Sequence, residues 1–414
     1  MSLTKLGKQA KSAAYTLASA NTGDKNAALF EIAKSLEDNI PEILIANEID
    51  MANAEKNGIP VTMRDRLRLT RERIVEIADA VRFVVGLPDP VGRVLGGGTR
   101  PNGLSVVKKA VPLGVIGIIY ESRPNVTVDS AVLCLKSGNA CILRGGSDAI
   151  NSNMALVKIM SRALRGTAIP PESIQILEDT SRETAREFMR LNEYIDVLIP
   201  RGGQGLIDTV VQTASIPVIE TGAGNCHIFV DESADEEMAV SIVDNAKTSR
   251  PSVCNAMETL LIHKNCAENL LPKIAEKLSR SKVELRACPS GIEILGDKAT
   301  PATEDDWAAE YNDYILAIRV VDSLDAALSH IEKYSTSHSE AIVTSDLANS
   351  ERFTAAVDSA AVYVNASTRF TDGSEFGLGA EIGISSQKLH ARGPMGLQEL
   401  CSYKYIIAGN GQVR

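Results

Sequence analysis

The chain has 414 residues, and its 43 Lys and Arg against 53 Asp and Glu leave a formal net charge of −10. At ~100–200 residues per domain, that length is expected to form two or three domains. A hydrophobic share of 44% with 23% charged residues excludes collagen-like, disordered and disulfide-scaffold chains. The acidic balance, the lack of a Lys/Arg stripe and an aromatic share of 4% argue against nucleic acid as a partner. No apolar run approaches the ~20 residues needed to cross a bilayer, so no membrane partner is expected. Residues 1–9 have neither the apolar core nor the cleavage site of a signal peptide. Cysteines at 134, 141, 226, 254, 266, 288 and 401 are odd in number, scattered and without a CxxC pair. Reduced thiols in the cytoplasm fit that pattern better than a disulfide framework or a metal site.

Residues 1–90 read as largely helical. Apolar side chains recur at helical spacing at Ala28, Leu29, Ile32, Ala33 and Leu36, and again at Ile74, Ile77, Ala78, Val81, Val84 and Val85. Gly96, Gly97, Gly98 and Pro101 break the pattern, and 104–111 then reads as an exposed strand. From 114 to 230 strands and helices alternate. Strands over 115–120, 140–143, 174–177, 195–199 and 217–219 are separated by helices over 126–136, 151–164, 184–191 and 206–212. A second alternating block runs through 226–230, 238–247, 259–262, 315–320, 326–334, 341–343 and 361–364, and 403–407 returns to strand character. Alternation of this kind signals a parallel sheet wrapped by helices, with right-handed crossovers. The expected fold is α/β, with two doubly wound α/β domains and extended pieces able to pair between subunits.

Among the cysteines, Cys134 and Cys141 fall inside an apolar helix and strand, where thiols are packing. Cys254 differs: it lies in a loop, Ser249-Arg250-Pro251-Ser252-Val253-Cys254-Asn255, between a helix and a strand. Beside Arg250 and backbone N–H groups a thiol can be held partly as thiolate. It reads either as a nucleophile or as an ordinary loop cysteine.

The turn Pro200-Arg201-Gly202-Gly203-Gln204-Gly205 joins a strand to a helix, and its glycines let N–H groups approach a phosphate. A second strand end carries Arg144, Gly145, Gly146 and Ser147. Together they suggest a nucleotide across the carboxyl edge of the sheet. Glu220 follows another strand, either as a turn carboxylate or as a general base. The five histidines show no ligand spacing, so no metal is expected.

These pieces resemble the aldehyde dehydrogenase superfamily over essentially the whole chain. Pro112-Leu113-Gly114-Val115-Ile116-Gly117 resembles its opening cofactor-domain strand, and Gly138-Asn139 through Leu143-Arg144 its GN…LK segment. Glu220-Thr221-Gly222-Ala223-Gly224 resembles the ELGG segment, and Cys254 stands where the nucleophile follows it. Within the superfamily, the stretches from Tyr120 to Thr127, from Tyr334 to Ile342, from Phe376 to Gly383 and from His390 to Gly396 are similar to the γ-glutamyl phosphate reductase family.

The resemblance implies NADPH-dependent reduction of L-glutamate 5-phosphate to L-glutamate 5-semialdehyde through a Cys254 thioester, the second step of proline biosynthesis. It implies cofactor contacts at Arg144, Ser147, Gly202, Gly203, Gly205 and Glu310, with Glu310 on the nicotinamide ribose. Ser147 stands where NAD-preferring relatives often place a carboxylate, which with Arg144 favours a 2′-phosphate, hence NADPH. The usual tryptophan-asparagine segment is replaced by Glu121-Ser122-Arg123-Pro124-Asn125. Asn125 at the oxyanion and Arg123 at the phosphate both remain open. Glu220 is a base in the aldehyde oxidisers, the runner-up activity, and a silent nucleotide-binding scaffold is the third reading. His338 is expected to contact substrate. The implied domains are an NADP-binding domain from 1–95 and 112–222, a catalytic domain from 223–388, and an oligomerisation element from 96–111 and 389–414. A homo-oligomer, dimer or tetramer, is expected, with glutamate 5-kinase as a partner handing over the substrate.

Overall fold

The computed structural model describes residues 2–121 and 123–414, and of Val61 and Thr62 the backbone alone. Ser122, within one of the family-like stretches, lies outside the described residues. The chain divides into two compact units. One comprises Met1–Glu220, Gly377–Gly383 and Met395–Arg414, and the other Thr221–Phe376 and Ile384–Pro394.

The first unit opens with helices Leu3–Leu17, Thr22–Asp38, Ile40–Lys56, Val61–Leu67 and Arg71–Gly86. Side chains of Ser2, Asn21 and Thr70 accept from backbone N–H groups of Lys5, Asp24 and Arg73, satisfying donors the helix starts would leave orphaned. The stripe Ala28, Leu29, Ile32, Ala33 and Leu36 is buried, as its spacing predicts.

A four-stranded parallel sheet follows, in the order Ile174–Ile176, Ala140–Arg144, Val115–Tyr120, Val197–Arg201. Val115–Tyr120 is buried along its whole length because it has a strand on each side, which explains its unbroken apolar run. The strand order reverses between Val115–Tyr120 and Val197–Arg201. Such a switch point opens a crevice at the carboxyl ends of the two strands. Tyr120 pairs with Arg201 there, so Glu121 and Gly202 leave the sheet side by side.

The glycines at 96–98, which break the helical pattern, lie in a strand: Val94–Thr99 pairs antiparallel with Ser105–Pro112. Gly97 sits at φ 153°, and a Cβ there would lie 2.4 Å from the Val106 carbonyl oxygen, so the close pairing requires glycine. Cys401–Ala408 pairs on the other edge of Ser105–Pro112, completing a three-stranded sheet. Residues 217–219 form no full strand but a single parallel bridge between Val218 and Leu198.

The second unit carries a seven-stranded parallel sheet. Its order is Thr300–Pro301, Glu284–Ala287, Ile315–Val321, Met257–His263, Cys226–Val230, Ser339–Val343, Ala361–Val364. Side chains alternate across it. Ile228, Val230, Leu260, Ile262, Leu316 and Ile318 enter one core, and Phe229, Leu261, Val321 and Ile342 the other. Cys226, Met257, Ser339 and Ala361 each begin a strand, so four chain entries converge on one edge of this sheet. Among the described residues, no helix is long and apolar enough to cross a membrane.

Candidate active site

Cys254 lies on the loop between helix Glu236–Thr248 and strand Met257–His263, partly exposed. The two ends of that loop are clamped together. Lys247 in the helix's last turn meets Glu258 in the strand at 2.6 Å, with both side chains fully buried. Glu258 also accepts the Asn312 N–H at 3.1 Å. Burial pushes the Glu258 carboxyl up to about 7 and the Lys247 ammonium down.

Under the loop runs the segment Gly224-Asn225-Cys226. A Cβ on Gly224 would lie 1.4 Å from the Cys254 carbonyl oxygen, so only glycine permits this approach. The segment is pinned in place. Gly224 N–H donates to Glu310 Oε1 at 2.8 Å, Asn225 N–H to Thr336 Oγ1 at 3.0 Å, and Asn225 Nδ2 to the Trp307 and Tyr334 carbonyls. The buried Cys226 thiol donates to the Cys254 carbonyl at 3.1 Å. Glu310 therefore belongs to the immediate surroundings of the nucleophile loop.

His338 requires a correction. Its side chain is fully buried, and Nδ1 lies 3.7 Å from Cys226 Sγ and 2.8 Å from Ser339 Oγ. It stands behind the Cys254 loop, with no exposed surface to offer a substrate. Burial holds the imidazole down at about 4, hence neutral. The chain of polar contacts continues from Ser339 to Thr371 Oγ1 and on to the Tyr363 hydroxyl, each step 2.7 Å. Thr371 returns it to the loop, its carbonyl accepting from Asn255 Nδ2 at 2.9 Å.

The other expected residues lie in the first unit. Asn125 is exposed on the first turn of helix Pro124–Lys136, its Nδ2 donating to Asp129 Oδ2 at 3.1 Å. Burial pushes the Asp129 carboxyl up to about 6. Arg123 is exposed and caps the same helix. Glu220, partly buried, is the last residue before the chain enters the second unit. Arg144 is partly buried, one Nη2–H donating to the Thr180 carbonyl at 2.8 Å. Burial lowers its pKa and the nearby Asp179 opposes that shift. Ser147 is exposed and donates to Asp148 at 3.4 Å.

Gly202, Gly203 and Gly205 are exposed at the start of helix Gln204–Thr213. Here the chain itself supplies an anion. The Glu121 carboxylate accepts the Gly203 N–H at 3.1 Å, and a Cβ on Gly202 would lie 2.6 Å from its carboxyl carbon. A helix start that already binds one oxyanion, lined by glycines, fits a phosphate group.

A model of the aldehyde dehydrogenase family matches residues 2–289. A γ-glutamyl phosphate reductase of Caldicellulosiruptor saccharolyticus is 59% identical over 415 residues, covering 100% of this chain and 99% of the relative. The chain belongs to the aldehyde dehydrogenase family, in the branch of the γ-glutamyl phosphate reductases. The crystal structure of such a reductase from Thermotoga maritima matches with a TM-score of 0.98 at 51% identity, over 100% of this chain and 99% of that one. An acetylating aldehyde dehydrogenase of Geobacillus thermoglucosidasius, 17% identical, covers 99% of this chain and 97% of its own. Its TM-score of 0.71 shows the shared fold. As a member of this family the chain is an oxidoreductase that uses a nicotinamide cofactor.

Little in the sequence singles out Cys226, Asn255, Thr371 or Arg369, all of which touch the Cys254 loop or its supports. Cys226 carries a weak local signal, directly after the glycine-rich turn. Arg369 carries none, because its partner Asn255 is 114 residues away in the chain.

Proposed function

We propose that this protein reduces L-glutamate 5-phosphate to L-glutamate 5-semialdehyde with NADPH, releasing phosphate, in the second step of proline biosynthesis. The observation that carries the reading is a partly exposed thiol on a clamped loop, in a chain that matches γ-glutamyl phosphate reductases from end to end.

The Cys254 thiolate attacks the acyl carbon. A C–S bond forms, the C–O bond to phosphate breaks, and the electron pair leaves with the phosphate, which takes up the one proton consumed. When bound, the reduced nicotinamide supplies the two electrons and the hydrogen that bring the thioester to the aldehyde level. The C–S bond then breaks, its electron pair returns to sulfur, and Cys254 is regenerated as thiolate. Negative charge develops on the carbonyl oxygen in both halves, and the Cys254 N–H and the Asn125 amide would be its donors. The reaction consumes no water, so Glu220 has no water to activate.

The N–H groups around Gly202, Gly203 and Gly205, one of which now donates to Glu121, would hold the dinucleotide's phosphates. Arg144 and Ser147 would hold a 2′-phosphate, and Glu310 would hold the nicotinamide ribose. The three-stranded sheet exposes Tyr403, Tyr405, Ile406 and Ile407 and pairs with a second copy.

Running the reaction backwards tests the reading. With L-glutamate 5-semialdehyde and NADP+, cofactor reduction should require inorganic phosphate. Phosphate-independent oxidation would make the protein an ordinary aldehyde oxidiser, and no turnover a silent nucleotide binder.

A further inference from the structure

Arg369 takes no part in the steps just described, yet it is tied to both sides of the nucleophile. It lies in the short turn Thr368–Phe370 of the second unit, partly buried. Its Nε donates to Ser249 Oγ at 3.0 Å, and Nη1 donates to Asn255 Oδ1. Ser249 precedes Cys254 on its loop, and Asn255 follows it directly. Asn255 is itself fixed from the same turn: Nδ2 donates to the Arg369 and Thr371 carbonyls, and its own carbonyl accepts the Thr368 hydroxyl at 2.7 Å. The guanidinium is therefore held in one orientation on the Cys254 loop. It carries more N–H donors than these two bonds use.

Its electrostatic surroundings are unusual for a structural arginine. Burial and then the like charge of Arg250 push its pKa down, while Cys254, Asp372 and Cys226 pull it back. Among the described residues, neither Arg369 nor Arg250 forms an ion pair with a carboxylate. A partly buried guanidinium with a second arginine acting on it is unfavourable; Asp372 offsets part of that, and a bound anion would offset more. A guanidinium fork matches a phosphate better than a point charge does.

We infer that Arg369, together with Arg250, binds the phosphoryl group of the acyl phosphate beside Cys254 and retains it as the C–O bond breaks. The assignment rests on the proposed reaction and names the residues in the second unit that read the phosphate. It would give the leaving group a seat on the same loop as the nucleophile.

The test uses the full-length protein and inorganic phosphate alone. Iodoacetamide alkylation of Cys254, followed by mass spectrometry, should be slowed saturably by phosphate at constant ionic strength. In Arg369→Gln the half-protecting concentration should rise at least ~10-fold, the scale of a lost charge-assisted hydrogen bond. Arg369→Lys should recover part of the protection, and Arg250→Gln, altered at an exposed position, should weaken it by a smaller factor. Unchanged midpoints in Arg369→Gln and Arg250→Gln, or no protection in the wild-type protein, would overturn the inference. Because alkylation needs neither aldehyde nor cofactor, phosphate protection without phosphate-dependent turnover would sink the proposed reaction and leave the anion site standing.

Discussion

The thiol of Cys226 donates to the carbonyl of Cys254 at 3.1 Å, so a buried cysteine supports a partly exposed one without a sulfur–sulfur bond. Burial raises the Cys226 thiol well above its ordinary range, which keeps it protonated and a donor. Substoichiometric iodoacetamide should therefore label Cys254 before Cys226, with activity lost in parallel. Cys226→Ser, which keeps a donor, should retain more activity than Cys226→Ala. Labelling of Cys226 first, read by mass spectrometry, would contradict this division of roles.

Gly224 sets the height of Cys254. In Gly224→Ala the new methyl would overlap the Cys254 carbonyl, 1.4 Å away, and one of the two segments must move. A misplacement of ~1 Å at a reacting group costs about 10²-fold in rate. We expect kcat to fall by about that factor, with the circular dichroism spectrum kept. Gly166→Ala, where a Cβ meets nothing within 4 Å, is the control and should leave kcat unchanged. Equal activity in the two variants would show that the loop tolerates displacement.

His338 makes folding sensitive to acid. Its folded pKa of about 4 lies below the 6.5 of an ordinary imidazole. Between these values the unfolded chain binds a proton that the folded one refuses. The stability tied to neutral His338 is thus whole above pH 6.5 and declines as pH falls, by about 3 kcal/mol near pH 4. His330, pushed down to about 2 by burial, acts in the same direction. Urea unfolding between pH 7 and pH 5 should show a smaller loss in His338→Gln than in the wild type. Equal losses would mean that His338 titrates normally.

Much of this architecture is legible in the sequence because parallel strands buried on both faces leave apolar runs, as at Val115–Tyr120 and Met257–His263. Val94–Thr99 escapes that logic. Its three glycines carry no strand propensity, and only pairing with Ser105–Pro112 makes it a strand. The nucleophile loop is recognisable from its context, but its supports are not. Cys226 lies 28 residues from Cys254, and the contact depends on two neighbouring strands starting at one sheet edge. His338 sits in a family-like stretch, yet nothing local tells that the fold buries it. Asp179 near Arg144 becomes visible only once the strand ends are assembled, whereas Asp148 directly follows Ser147 in the chain.

Those carboxylates bear on the cofactor. In the proposed binding mode Arg144 would attract a 2′-phosphate, and a serine rather than a carboxylate at 147 would leave room for one. The ratio of kcat/KM for NADPH over NADH should exceed one. Ser147→Glu should lower it about tenfold or more by placing a like charge there. An NADH preference in the wild type would show that Asp148 and Asp179 dominate.

Every step of the proposed route passes through Cys254, and its replacement by serine is the sharpest measurement. A thiolate is nucleophilic enough to take the acyl group and leaves readily enough to release the aldehyde, whereas a serine hydroxyl needs a base to deprotonate it. With L-glutamate 5-semialdehyde, NADP+ and phosphate, Cys254→Ser should show no measurable cofactor reduction while binding NADPH as tightly as the wild type. Phosphate-dependent turnover at close to the wild-type rate in that variant would contradict the thioester route.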